Sequence, residues 1–113
     1  MDILQIRDVF NCNRIIFKLT EQQSQFPIDV GFRLFKISKI FDEVEEFVFN
    51  LMNITFNDFQ FEEMTDEQKM FFEKVMTQQI ELEYDKIPLS VFENNDKLKL
   101  TIEEIGYLSI ILK

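Results

Sequence analysis

Among side chains that can do chemistry, this chain offers carboxylates in quantity and very little to work with them. It carries 21 Asp and Glu, no His and one cysteine, Cys12. Without His, the commonest general base and the commonest metal ligand are missing. A nucleophilic Cys or Ser needs a base and an orienting group beside it. Cys12 has no evident activator and falls on an apolar stripe, where a thiol packs as a small hydrophobe. The phosphate-cradling signatures G-x-x-x-x-G-K-[ST] and G-x-G-x-x-G are absent; Gly31 and Gly106 are the only glycines and sit inside helical patterns. Carboxylate metal sites remain. Asp42, Glu43 and Glu46 cluster in one segment and Glu103 and Glu104 in another, but a di-metal bundle site needs Glu-x-x-His as well. Glu62-Glu63 and Asp66-Glu67 lack EF-hand spacing. The expectation is a non-enzyme without cofactor or metal, whose acids form a solvated face.

The acid is unevenly distributed. Residues 1–41 hold six basic against four acidic side chains, a balance of +2, whereas residues 42–104 hold 17 acidic against five basic, a balance of −12; the whole chain carries −9. Such a field repels nucleic acid phosphates and anionic lipid, and attracts basic partners. The first third does interleave Arg7, Arg14, Lys18, Arg33, Lys36 and Lys39 with Phe17, Phe32 and Phe35, a combination that can hold single strands. The overall charge opposes this, and no direct nucleic acid partner is expected. The N-terminus lacks the basic and apolar regions of a signal peptide, and no apolar run approaches the ~20 residues that span a bilayer. A cytosolic protein without a membrane partner is expected, and the lone cysteine fits a reducing compartment.

These groups must be positioned by one small domain, residues 1–113. Ile3–Arg7 reads as a strand. Asp8 or Asn11 then caps a helix to about Gln23, with Val9, Cys12, Ile16 and Leu19 at helical spacing. Phe26-Pro27 marks a boundary. From about Asp29, Val30, Leu34, Ile37, Phe41, Val44, Val48 and Leu51 trace the stripe of a six-turn helix, flanked by Ile40 and Phe47. Asn53–Phe61 reads as a loop. Thr65 and Gln68 form a capping box for a helix to about Gln78 that buries Phe71, Phe72, Val75 and Met76. Ile80–Asp85 alternates apolar and acidic residues, as a half-buried strand does, and its natural partner is the N-terminal strand. Pro88 keeps the next segment out of a central strand, Asn94-Asn95-Asp96 is a turn, and Thr101 with Glu104 caps a last helix carrying Ile105, Leu108, Ile111 and Leu112. The fold class is α+β, mainly helical: a helical hairpin with a small two-stranded β-ribbon, in the order β-α-α-α-β-α.

This succession resembles a group of small tailed-bacteriophage proteins of unknown function. The features that carry the resemblance are the Phe26-Pro27-Ile28 boundary, the long charged helix, Gln79-Ile80-Glu81-Leu82-Glu83, Ile87-Pro88-Leu89-Ser90 and the Thr-x-x-Glu start of the last helix. This chain departs from the pattern in its 14 Phe and in lacking a Gly-containing turn after the long helix. The resemblance implies a phage origin and brings no active site with it.

The function expected is that of a phage-type, non-enzymatic protein-binding factor that modulates a host or phage protein, in the host cytoplasm or associated with the virion. Two alternatives use the same features: an acidic nucleic-acid mimic inhibiting a defence nuclease or another DNA- or RNA-binding protein, and a virion structural or assembly component. The candidate protein-binding residues are Glu43 and Glu46 on the long helix, Phe56, Phe59 and Phe61 in the loop after it, and Glu63 and Glu67 at the start of the third helix.

Overall fold

The computed structural model describes residues 2–21, 26–52, 63–93 and 100–113. Strand β1 (Asp2–Gln5) runs directly into helix α1 (Ile6–Thr20), and α2 (Ile28–Met52) folds back on α1 as a helical hairpin. Helix α3 (Asp66–Met76) leads into strand β2 (Gln79–Leu82), followed by the single turn α4 (Ser90–Glu93) and by α5 (Ile102–Leu108), which tightens into a 3-10 turn at Ser109–Ile111. The expected order is realised, with α4 as an addition.

The two strands pair antiparallel with Asp2 opposite Leu82 and Gln5 opposite Gln79. The alternation that marked β2 holds in its burial, since Ile80, Leu82 and Tyr84 turn inward while Glu81, Glu83 and Asp85 are exposed. The ribbon is shorter than the pattern suggested. Ile6 already belongs to α1, and Asp8 serves as the third helical residue, accepting a bond from the Gln5 backbone N–H at 3.4 Å. The Ile6 N–H still donates to the Gln78 carbonyl at 3.0 Å, so the ladder gains one more rung as the helix begins.

Both Thr capping boxes form. Thr65 accepts from the Gln68 N–H at 3.2 Å and Thr101 from the Glu104 N–H at 3.1 Å, and each is returned by the Gln or Glu side chain. Each box satisfies two N–H groups that a helix start leaves without intrahelical partners.

The core is built on α1. Val9, Cys12, Ile16 and Leu19 are fully buried, and meet Leu34, Ile37 and Phe41 of α2, Leu108 of α5, Ile111 and Ile87. A second cluster joins Ile6, Val48, Val75 and Met76, tying α3 to the hairpin. The α2 stripe departs from its expected course near its end. Val48, Phe49 and Met52 continue it inward, whereas Phe47 and Leu51 are exposed. At 100° per residue, Val48 and Met52 stand roughly 20° either side of Phe41, whereas Leu51 and Phe49 stand roughly 80° away on opposite flanks, and it is the flank of Phe49, set edge-on to Phe10, that is covered. Phe71 on α3, expected inside, is also more than a third exposed, as is Ile105 on α5.

The C-terminus adds a contact that periodicity does not announce. Ile87 and Leu112 form a parallel bridge. The Ile87 N–H donates to Ile111 at 2.8 Å, the Leu89 N–H to Lys113 at 3.1 Å, and the Lys113 N–H to Ile87 at 3.0 Å. Pro88 lies between the two donating residues, where its missing N–H costs nothing. The expected loop at 53–61 and turn at 94–96 lie outside the described residues.

Candidate functional site

Helix α2 buries one side and presents the other to solvent. Along the outward side run Ile28, Phe32, Phe35, Lys36, Lys39, Glu43, Glu46 and Asn50, all exposed, with Phe47 and Leu51 at its edge. The core stripe dictates this: if Leu34, Ile37, Phe41 and Val48 face inward, residues half a helical turn away must face out. Ile28 is 93% exposed, Phe35 61% and Phe47 59%, a concentration of apolar surface on one helix face.

Glu43 and Glu46, singled out from the sequence, share this face, and neither has an ion-pair partner among the described residues. Glu63 precedes α3 and Glu67 lies in its first turn; both are exposed, but on a different element. Phe56, Phe59 and Phe61 lie outside the described residues. Sequence reasoning had noted Phe32 and Phe35 only as aromatics among basic residues. Their spacing from Ile28, at four and seven residues on the side away from the core stripe, was the signal that they share one exposed face.

The basic residues of the first third are largely consumed inside the fold. Arg7 pairs with Glu73 of α3. Arg14 lies over the Tyr107 ring at 5.7 Å, and Lys18 binds Glu104 of α5 at 2.9 Å. That pairing, with the bond from the Thr101 N–H, holds the Glu104 carboxyl below its ordinary range. On α2, Arg33 donates to the Lys86 carbonyl at 3.2 Å and Lys36 lies over Phe32 at 4.6 Å. Of the six, Lys39 alone has no such engagement among the described residues.

Beneath α2 lies the one buried polar side chain among the described residues, Asn13. Its Nδ2–H donates to Asp42 Oδ1 at 2.8 Å, while its own Oδ1 is buried without a partner. Glu45 adjoins this pair. Burial pushes its carboxyl up, a bond from Asn13 pulls it back, and the charge of Asp42 raises it again.

A shallow cleft of about 390 Å³ opens between α2 and the segment after β2, lined by Arg33, Lys36, Ile37, Ile40, Glu83, Tyr84 and Asp85. The Tyr84 hydroxyl, 2.8 Å from the Ile110 carbonyl and 3.2 Å from Asp2, is already spent on binding the C-terminal turn to β1. Burial and the adjacent Asp2 charge raise its pKa. Burial pushes the Cys12 thiol up to about 12, leaving it protonated at neutral pH and enclosed by the core. Among the described residues no group of three or more acids and cysteines is placed to hold a metal ion, and no helix is long and apolar enough to cross a membrane.

Comparison with protein-family models, with curated proteins and with solved structures finds no match. The surface of α2 therefore has to be read from its own chemistry.

Proposed function

We propose that this chain is a non-enzymatic, phage-type protein-binding factor that modulates a host or phage protein in the host cytoplasm. Docking involves the acidic half of the outward face of α2, with Glu63 and Glu67 of the α3 start as further contacts. One observation carries this reading. Glu43 and Glu46 stand in solvent without ion-pair partners among the described residues, beside the exposed ring of Phe47, whereas Arg7 and Lys18 of α1 are paired with Glu73 and Glu104. An aromatic anchor next to unpaired charge is the composition of a recognition surface, in which the ring supplies contact area and the charge selects the partner. That face would suit a basic partner surface.

The test is affinity capture with the tagged chain from infected-host lysate, repeated with E43K/E46K and with F47S, each first checked for native helicity. A single stoichiometric partner, with recovery lowered about tenfold by either variant, is the expected result. Equal recovery by all three proteins, or capture of capsid and tail proteins only, overturns the reading.

The nucleic-acid-mimic version draws on the exposure of all four candidate acids, Glu43, Glu46, Glu63 and Glu67. It adds one requirement, that DNA or RNA competes with the chain for the captured partner. A partner indifferent to nucleic acid removes that version and leaves the broader one standing.

A further inference from the structure

We propose that the outward face of α2 also seats a second copy of this chain, in an antiparallel two-fold dimer; the proposal rests on reading that face as a docking surface and names one partner for it. The order of residues along the face is the argument. From the N-terminal end it runs apolar (Ile28, Phe32, Phe35), basic (Lys36, Lys39), acidic (Glu43, Glu46) and again apolar at its edge (Phe47, Leu51), all exposed. Turned end for end about the level of Phe41, this order matches itself. Lys39 comes level with Glu43, Lys36 with Glu46 and Phe35 with Phe47, while Phe32 falls within one ~1.5 Å residue rise of the level of Leu51.

A two-fold contact requires this property, because every residue i that meets j obliges j to meet i. Each basic half therefore meets an acidic half, and the pairing occurs twice. The parallel arrangement in register would set lysines against lysines and glutamates against glutamates. The charges are also available: Lys39, Glu43 and Glu46 have no ion-pair partner among the described residues, and the Phe32 ring under Lys36 leaves that charge without a counter-ion.

Size sets the expected strength. Twenty-five residues at ~1.5 Å each make a strip about 37 Å long and, at a helix width of about 10 Å, near 370 Å² per partner. Standard interfaces use about 800 Å² per side. The dimer is thus a weak one, with a dissociation constant above about 1 µM, formed where the chain is concentrated and yielding to a better-fitting partner.

The experiment is analytical ultracentrifugation of the purified full chain from about 10 µM to about 1 mM, a range that brackets weak association. Three proteins are compared: wild type, K36E/K39E and E43K/E46K, all substitutions at exposed positions, with circular dichroism to confirm the fold. Wild type is expected to show a concentration-dependent monomer–dimer equilibrium, and each double variant to raise the dissociation constant at least about tenfold. Mixed in equal amounts, the two variants should associate at least as tightly as wild type, because an all-acidic face then meets an all-basic one. A wild type that stays monomeric throughout, a dimer indifferent to both variants, or a mixture that does not associate overturns the proposal. Failure here is separable from failure of the modulator reading. A monomer that still captures a partner through Glu43 and Glu46 overturns only the dimer, and a charge-dependent dimer that captures nothing overturns only the modulator.

Discussion

Along α1, Arg7 is paired with Glu73, Arg14 lies over Tyr107 and Lys18 is bonded to Glu104; along the outward side of α2, Lys39, Glu43 and Glu46 stand without ion-pair partners among the described residues, beside exposed Phe35 and Phe47. Both helices are amphipathic and both carry charge, so composition does not separate them. Position in the fold does. Helix α1 packs against β1, α2, α3 and α5, and the acids of α3 and α5 reach its basic side chains from both flanks. The outward side of α2 has no such neighbour among the described elements. An acidic residue next to a basic element is absorbed into the fold, whereas one on an uncovered face stays in solvent.

The contrast is most sharply tested by truncating aromatic rings on opposite sides of α2. Phe41 is fully buried against Tyr84, with ring centroids 5.5 Å apart. Phe41→Ala should cost about 3–5 kcal/mol, read by urea titration, because the cavity cannot fully collapse. Phe35→Ser on the outward side should change stability by less than about 0.5 kcal/mol. If the two substitutions cost the same, the outward side is not a free surface.

An intermediate effect is expected at the polar seam between the helices. Removing the Asp42 carboxylate by Asp42→Ala takes away the 2.8 Å bond of the buried Asn13 amide and leaves Glu45 as its remaining acceptor, at a cost of about 1–3 kcal/mol. Glu45 makes the same seam pH-dependent. Its carboxyl is raised above 4.5 in the folded chain, so the folded state binds the proton more readily than the unfolded state. Its contribution to stability is full below pH 4.5 and is lost as pH rises through the folded value. Glu45→Gln should remove that part of the dependence, so the melting temperature of wild type relative to the variant should fall as pH rises across this window. A difference that does not vary with pH would mean that burial does not raise the Glu45 carboxyl.

The smallest effect belongs to the charges already matched on α1. Arg7 and Glu73 are each about half exposed, so Glu73→Gln should cost no more than about 1 kcal/mol, and less in high salt. A larger loss by thermal unfolding would mean that the flank of α1 depends on this pair more than on the apolar cluster beneath it.

The residues that announced themselves did so through local physics. Thr65 with Gln68 and Thr101 with Glu104 specify helix starts because the bonds involved span three residues. The alternation from Ile80 to Asp85 specifies a half-buried strand because successive side chains must point to opposite faces. Pairing of the two strands was legible because no other strand candidate was available. Misreadings came where a stripe had more than one continuation. After Val48, which the expected stripe included and the core buries, Leu51 and Met52 both offer helical spacing, and the packing of Met52 against the cluster of Ile6, Val75 and Met76 selects the second, with Phe49 set edge-on to Phe10 at 5.9 Å. The candidate site was half legible. The acids Glu43 and Glu46 were visible as charge opposite a stripe; Phe32 and Phe35 were marked only by their spacing from Ile28 on the side away from that stripe, while Phe47, at its flank, carries the same pattern value inside or outside a core.

Sequence alone determined the helix starts, the strand alternation, the inward side of α1 and most of that of α2, together with the separation of a basic first third from an acidic remainder. These rest on bonds and periods shorter than two helical turns. Tertiary structure decided the bridge between Ile87 and Leu112, the enclosure of Asn13 beside Asp42, the matching of the α1 cations by acids 66 and 86 residues away, and the survival of free charge and exposed rings on α2. Each depends on which element comes to lie beside which, and that is set by how the apolar faces fit together, a property that no local window of residues contains.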